Sequence, residues 1–190
     1  MGGPTEPVAG TLPAAGPTVA LPEPCLVVLV GAAGSGKSTL AARLFAADQI
    51  LSSDTFRGLV AGDEADQAAT RAAFAILHRE LARRLAQGLT TVLDATNVTR
   101  FARRSLVRRA ERHAVLAVAL VLDLEPSLVL ARNATRFGRV VPAAAVLRQL
   151  DQLARSLRRD ELETEGFAAV HRFRDPEDVA RLHLVTGERP

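Results

Sequence analysis

Leu26-Val-Val-Leu-Val-Gly31-Ala-Ala-Gly34-Ser-Gly36-Lys37-Ser38-Thr39 is the stretch whose reading decides the architecture. A run of apolar residues ends on a turn that fits G-x-x-x-x-G-K-[ST], and a helical pattern follows over 37–46. Strand, turn and helix in that order separate a phosphate-binding loop from an ordinary glycine-rich turn. The glycines let backbone N–H groups turn inward around a phosphate, and the helix N-terminus adds partial positive charge. Gly31, Gly34, Ser35, Gly36, Lys37, Ser38 and Thr39 are therefore expected to hold a nucleoside triphosphate. Lys37 bridges its terminal phosphates and the Ser38 hydroxyl binds Mg²⁺. The loop alone does not separate a kinase from a hydrolysing switch.

Outward from this loop, short apolar runs alternate with longer helical patterns. Leu26–Val30, Gln49–Ser52, Thr90–Leu93, Ala114–Leu122 and Ala169–Phe173 read as strands. Segments 37–46, 65–87, 100–112, 126–137 and 142–159 read as helices. Phe74, Leu77, Leu81 and Leu85 form a stripe at helical spacing that stops at Gly88, a suitable C-cap. The pattern predicts an α/β fold, a P-loop NTPase fold with a parallel sheet of about five strands, helices on both faces and a helical lid. Ligands of such sheets bind beyond the carboxyl ends of the strands. Residues 1–24 hold six of the ten prolines and no apolar periodicity, so they read as a disordered Pro/Ala/Gly-rich tail. Residues 25–190 read as one P-loop domain, in line with a chain of 190 residues.

Composition narrows the class. The chain is 48 % hydrophobic and 24 % charged, and its longest apolar run, Ala114–Leu122, is far short of the roughly twenty residues of a membrane helix. No membrane partner is expected. The first 24 residues lack Lys and Arg, and the single cysteine, Cys25, has no partner for an internal disulfide, which points to the cytoplasm. Lys37 is the only lysine among 24 cationic residues. It stands where a compact ammonium is wanted rather than a planar guanidinium fork.

Other motifs fall after the strands. Ser52-Ser53-Asp54 ends one of them and Arg57 follows; a carboxylate there accepts the proton of an attacking hydroxyl, and the arginine holds an acceptor phosphate. The plainer reading is a helix cap with a paired arginine. Asp94 ends the next strand, where it can hold a magnesium-bound water, and Thr96 and Asn97 add neutral hydrogen-bonding groups at the acceptor or simply make the turn. Arg132, Arg136 and Arg139 lie on a helical hairpin broken at Gly138, with Pro142 opening the next helix. They read as an arginine lid over the triphosphate or as a solvated face. Segment 100–112 has six arginines against one glutamate. Arg100, Arg104 and Arg108 share a face, the pattern of a track for nucleic-acid backbone or of a solvated surface. The four histidines show no metal-ligand spacing. With no Trp or Tyr in the chain, Phe56 and Phe137 are the candidates for base stacking, or else core residues.

In this order the elements resemble the polynucleotide 5′-hydroxyl kinase family, in particular the kinase module of bacterial polynucleotide kinase-phosphatases, P-loop kinases of the AAA-type ATP-binding superfamily. The resemblance runs from about Leu26 to Val179. It includes Arg57-Gly58-Leu59-Val60, Asp66-Gln67, Asp94-Ala-Thr-Asn97-Val98, Arg132-Asn133 and Glu165-Gly166-Phe167. It implies that Lys37 and Ser38 bind ATP and Mg²⁺, that Asp54 activates the 5′-hydroxyl of RNA or DNA, and that Arg57 holds the acceptor's phosphate. Arg132 and Arg136 match arginines that engage donor phosphates. The family's phosphatase and ligase modules have no counterpart in 190 residues, so a stand-alone kinase, or one that works with separate phosphatase or ligase proteins, is expected. The same superfamily holds kinases of small metabolites and antibiotics, which keeps such an acceptor open beside the polynucleotide. A nucleotide-dependent switch is the third reading, and the acceptor-side arginine argues against it.

Overall fold

The computed structural model of the protein describes residues 16–60, 67–136 and 140–187, and for 57–60 and 67–71 the backbone alone. Its strands are Thr18–Pro22 (β1), Cys25–Val30 (β2), Ile50–Ser52 (β3), Thr91–Asp94 (β4), Leu116–Leu122 (β5), Ala169–Phe173 (β6) and His183–Gly187 (β7). Its α-helices are Lys37–Leu44 (α1), Ser53–Val60 (α2), Gln67–Ala86 (α3), Arg100–Arg112 (α4), Pro126–Ala134 (α5), Ala143–Arg158 (α6) and Pro176–Arg181 (α7). Five strands form one parallel sheet in the order β3-β4-β2-β5-β6. The expected five-strand α/β architecture is present.

The central strands explain their own sequences. Every residue of β2 is buried, because the sheet is covered on both faces and neither side of the pleat meets water. Leu26, Val28 and Val30 pack toward Leu77, Leu81 and Leu85 of α3, Leu106, Val107 and Ala110 of α4, and Leu153 of α6. Cys25, Val27 and Leu29 face Leu40 and Ala41 of α1 on the other side. Each fully buried leucine contributes roughly 1.5–3 kcal/mol of transfer free energy. Helix α3 ends as expected: Gly88 is left-handed at φ 64°, and the N–H of Leu89 reaches back to the Arg84 carbonyl at 3.1 Å.

Two readings need correction. The composition-based tail extends too far, because Thr18–Pro22 is a strand paired in parallel with β7, with Val19 and Leu21 packed on the α1 face of the sheet. A five-residue alternation of exposed and buried positions was hidden by the surrounding prolines. Residues 1–15 lie outside the described ones. Pro142 precedes α6 as its N-cap residue, with extended ψ 133°, and is not its first helical residue. The chain diverges at β2, which pairs with β4 on one side and β5 on the other. That is the switch point at whose carboxyl end open α/β sheets form a crevice.

Candidate active site

The loop from Gly31 to Gly36 leaves β2 into this crevice. Gly36, left-handed at φ 94°, caps α1 with no side chain, so the first-turn N–H groups are not closed by a capping oxygen. Gly34 is required by a close approach: a Cβ there would stand 2.4 Å from the Val129 carbonyl oxygen and 2.9 Å from Asn133 Cβ. Helix α5 therefore lies directly against the loop. Gly31 holds the site from beneath, its N–H donating to the Thr96 carbonyl at 3.0 Å.

Lys37 is buried, and its ammonium donates to the Ala32 carbonyl at 2.7 Å and to Ser35 Oγ at 3.3 Å. Burial pulls its pKa down to about 8; Asp94 opposes the shift, Arg136 adds to it, and Asp54 opposes it. Ser38 Oγ donates to Asp94 Oδ2 at 2.7 Å. This hydroxyl and this carboxylate are hard oxygen donors of the kind Mg²⁺ takes in small number alongside water and substrate phosphates. Among the described residues no group of three His, Cys, Asp or Glu side chains comes together, so the donor set suits that mode rather than a cage made of protein alone.

Two cavities meet at this point. The first, about 450 Å³, is lined by Gly34, Ser35, Gly36, Lys37, Ser38 and Thr39, then by Arg43, Arg132 and Arg136, and closed by Pro176, Val179 and Ala180 at α7. The second, about 410 Å³, is lined by Lys37, Ser38, Asp54, Asp94, Thr96, Asn97, Phe74, Arg136 and Gln149 among others. Lys37, Ser38 and Arg136 belong to both. Arg136 Nη2 stands 3.4 Å from Asp54 Oδ2, with both side chains partly in solvent. Arg132 reaches over the loop, its Nη1 3.9 Å from where a Cβ on Gly36 would sit.

The structure brings Gly34, Ser35, Gly36, Lys37, Ser38, Thr39, Asp54, Asp94, Thr96, Asn97, Arg132 and Arg136 to the two cavities, while Gly31 lines neither and touches the site only through its N–H. Asn97 lines the second cavity but spends its amide inward, donating to the Leu29 carbonyl at 2.8 Å from a left-handed backbone at φ 47°. Arg57 falls on α2, three residues after Asp54, and its side chain is outside the described residues. Asp66, Phe137, Gly138 and Arg139 are outside them altogether. Phe56 packs against the core and is no stacking platform. Cys25 is likewise packed, and burial raises its thiol to about 11.

Sequence reasoning gave three contributors no role at the site. Gln149 of α6 accepts from the Ala33 N–H at 2.8 Å, tying the lid to the phosphate loop. Asn133 fixes the lid hairpin by donating to the Val141 carbonyl at 2.7 Å and accepting from the Val141 N–H at 3.2 Å. Phe74, read as the start of a core stripe, is 37 % exposed and lines the second cavity. Its place one turn before the buried Leu77, at the start of the stripe, was the available signal.

A family model described as "AAA domain" matches residues 26–159, well over half of the chain. The protein belongs to the AAA domain family. Solved structures share its fold. A chain of the Pnkp1/Rnl/Hen1 RNA repair complex is similar with TM-score 0.64 at 22 % identity, over 73 % of this chain and 47 % of that one. This protein therefore spans about half the length of that relative. Kti12 of Chaetomium thermophilum in complex with ADP-AlF3 is similar with TM-score 0.60 at 18 % identity, over 82 % and 94 % of the two chains. A chain of the PezAT toxin-antitoxin system of Streptococcus pneumoniae gives 0.59 at 14 % identity, over 80 % and 67 %. No curated protein matches the sequence. Among the described residues no helix is long and apolar enough to cross a membrane.

Proposed function

We propose that the protein is an ATP-dependent kinase that transfers the γ-phosphate to the 5′-hydroxyl of a polynucleotide. The observation that carries this reading is the meeting of two cavities at Lys37, Ser38 and Arg136, one lined by the phosphate loop and the other by Asp54 and Asp94. ATP occupies the first cavity, with its phosphates on the loop N–H groups, Lys37, Arg132 and Arg136. Ser38 and Asp94 hold Mg²⁺, which when bound neutralises charge developing on the phosphates. Asp54 takes the proton of the 5′-hydroxyl as that oxygen bonds to the γ-phosphorus and the bond to the bridging oxygen breaks, releasing ADP. Arg57, on the same helix as Asp54, clamps the phosphate 3′ of the reacting nucleoside. Thr96 and Asn97 shape the wall beside the acceptor. The likeness to a chain of an RNA repair complex supports a nucleic-acid acceptor.

The test uses labelled ATP, purified protein, and three acceptors: a 5′-hydroxyl oligonucleotide, a nucleoside 3′-monophosphate and the bare nucleoside. Transfer to the first two well above the third is expected. Asp54→Asn, which keeps shape but removes the proton acceptor, is expected to retain ATP binding and lose 10² to 10⁴-fold in transfer, about the size of general-base catalysis. Equal rates on nucleoside and nucleoside 3′-monophosphate, or rapid phosphorylation of a sugar or drug hydroxyl with none of these acceptors used, overturns the polynucleotide reading.

A further inference from the structure

Helix α4 begins at the rim of the acceptor cavity, which Thr99 and Ala102 line on either side of Phe101. Phe101 is 81 % exposed, more than any other large hydrophobic side chain among the described residues. Arg104, Arg108 and Arg112 are exposed beyond it at helical spacings of three and four, so Phe101 and these arginines form one stripe along the helix. Many of the protein's other surface arginines are neutralised: Arg83 and Arg84 by Glu80, Arg155 by Asp151, Arg172 by Asp123 and Arg181 by Glu177. Among the described residues no acid pairs with Arg104, Arg108 or Arg112. Glu111, the helix's one acid, lies against Gly166.

We infer that this stripe is a binding track for the single-stranded nucleic acid that continues 3′ from the reacting end, with a base stacked on Phe101 and successive phosphates on Arg104, Arg108 and Arg112. The inference rests on the polynucleotide reading and adds to it a recognition surface outside the acceptor cavity. An exposed aromatic next to a row of unneutralised guanidiniums is the combination that single strands use, because every base has a stacking face and every linkage a charge. A helix of 13 residues is about 20 Å long, enough to follow several nucleotides away from the cavity. A partner protein docking through an acidic face is the competing occupant, and an exposed Phe101 flanked in sequence by the cavity-lining Thr99 and Ala102 favours nucleic acid.

The experiment measures binding of a fluorescent twelve-nucleotide single strand by anisotropy over a range of salt, without ATP, for the whole protein and three variants. In the Arg104→Gln, Arg108→Gln, Arg112→Gln triple variant, binding is expected to weaken about tenfold or more, and the salt slope to fall by about 2, from roughly 0.7 per lost phosphate contact. The corresponding triple Arg→Lys variant is expected to recover most of both, since a phosphate track needs charge. Phe101→Ala is expected to weaken binding several-fold with an unchanged salt slope. All substitutions are on exposed positions, and equal melting temperatures verify the fold. Unchanged binding and slope in the triple Arg→Gln variant overturns the track. So does competition by a polyglutamate peptide equal to that by the unlabelled strand, which assigns the face to an acidic protein. Loss of strand binding in the variant beside a wild type that phosphorylates no nucleic-acid end overturns the kinase reading and leaves the track standing.

Discussion

Lys37 holds its ammonium where burial works against the charge, with a pKa of about 8 in place of 10.5. Between those values the unfolded chain binds more protons than the folded one, so stability rises with pH through the window from about 8 to 10.5 and is lowest, for this group, below it. A triphosphate reverses the balance by giving the ammonium its counter-charge. Above about pH 8 the empty site is partly deprotonated, so ATP binding there is expected to take up a fraction of a proton, and less at pH 6.5. Titration calorimetry in two buffers of different ionisation enthalpy measures this directly. Lys37→Ala is expected to abolish the uptake and to reduce transfer by far more than tenfold, which is only about 1.4 kcal/mol of transition-state stabilisation. No uptake at pH 8.5 in the wild type means that the ammonium does not meet the phosphates. In the proposed reaction Arg136 acts by shape as well as charge. Its pair with Asp54 is 3.4 Å long and half in solvent, worth little by itself and readily exchanged for a phosphate. Because an ammonium cannot reproduce a two-point guanidinium clamp, Arg136→Lys is expected to lose nearly as much turnover as Arg136→Ala. Full activity in the lysine variant, in steady-state assays, would reduce the position to diffuse charge.

Helix α4 joins the acceptor side to the lid through one fully buried guanidinium. Arg103 donates from Nε and Nη2 to the two carboxylate oxygens of Glu165 at 2.7 Å each, from Nη1 to the Val98 carbonyl at 2.8 Å, and from Nη2 to Ser156 Oγ at 3.0 Å. It thereby fixes the loop after β4, the end of α6 and the turn before β6. Glu161 Oε2 stands 3.7 Å from Nη2 as a second, more distant acid. Arg103→Met strands the buried Glu165 carboxylate and is expected to destabilise the fold by about 3–5 kcal/mol, Glu165→Gln by less because Glu161 still faces the guanidinium, and the double variant by clearly less than the sum. A denaturant-unfolding double-mutant cycle measures this, and strict additivity counts against a coupled pair. This element also marks how far sequence reading reaches. Positions 103, 106, 107 and 110 are an apolar-face stripe in which Arg103 stands among Leu106, Val107 and Ala110, so its burial was legible from spacing, but its partner 62 residues away was not. The phosphate loop was legible because it follows the unbroken apolar run of β2, and Asp54 and Asp94 because polar residues break the apolar pattern at the ends of β3 and β4. β1 was not, because a five-residue strand depends on β7 at the other end of the chain. α7 was missed although Asp175 caps it, donated to by the Glu177 N–H at 2.7 Å, and Pro176 follows in the first turn.

Parallel strands deliver the loops after β2, β3 and β4 to one end of the molecule, and Cys25, at the start of β2, is left at the other. The two cavities are therefore two halves of one crevice, with Lys37, Ser38 and Arg136 on their common wall, and in the proposed reaction they take donor and acceptor. The lid crosses that wall as well: Gln149 of α6 lines the acceptor half while its side chain holds the Ala33 N–H of the donor loop. This arrangement suits direct, in-line transfer, in which holding both reactants in near-attack geometry supplies much of the rate and no covalent intermediate is needed. Initial rates measured at several fixed concentrations of acceptor against ATP are accordingly expected to give intersecting reciprocal plots, because both substrates must be bound before the phosphate moves. A phosphorylated-protein intermediate would instead give parallel plots and a stoichiometric burst of ADP without acceptor. With acceptor absent, labelled γ-phosphate is expected to stay off the protein, and only slow hydrolysis to water is expected at the same crevice. Parallel plots together with a base-labile, hydroxylamine-sensitive label on the chain would show that the two halves are used in turn, and that Asp54 attacks phosphorus instead of taking a proton.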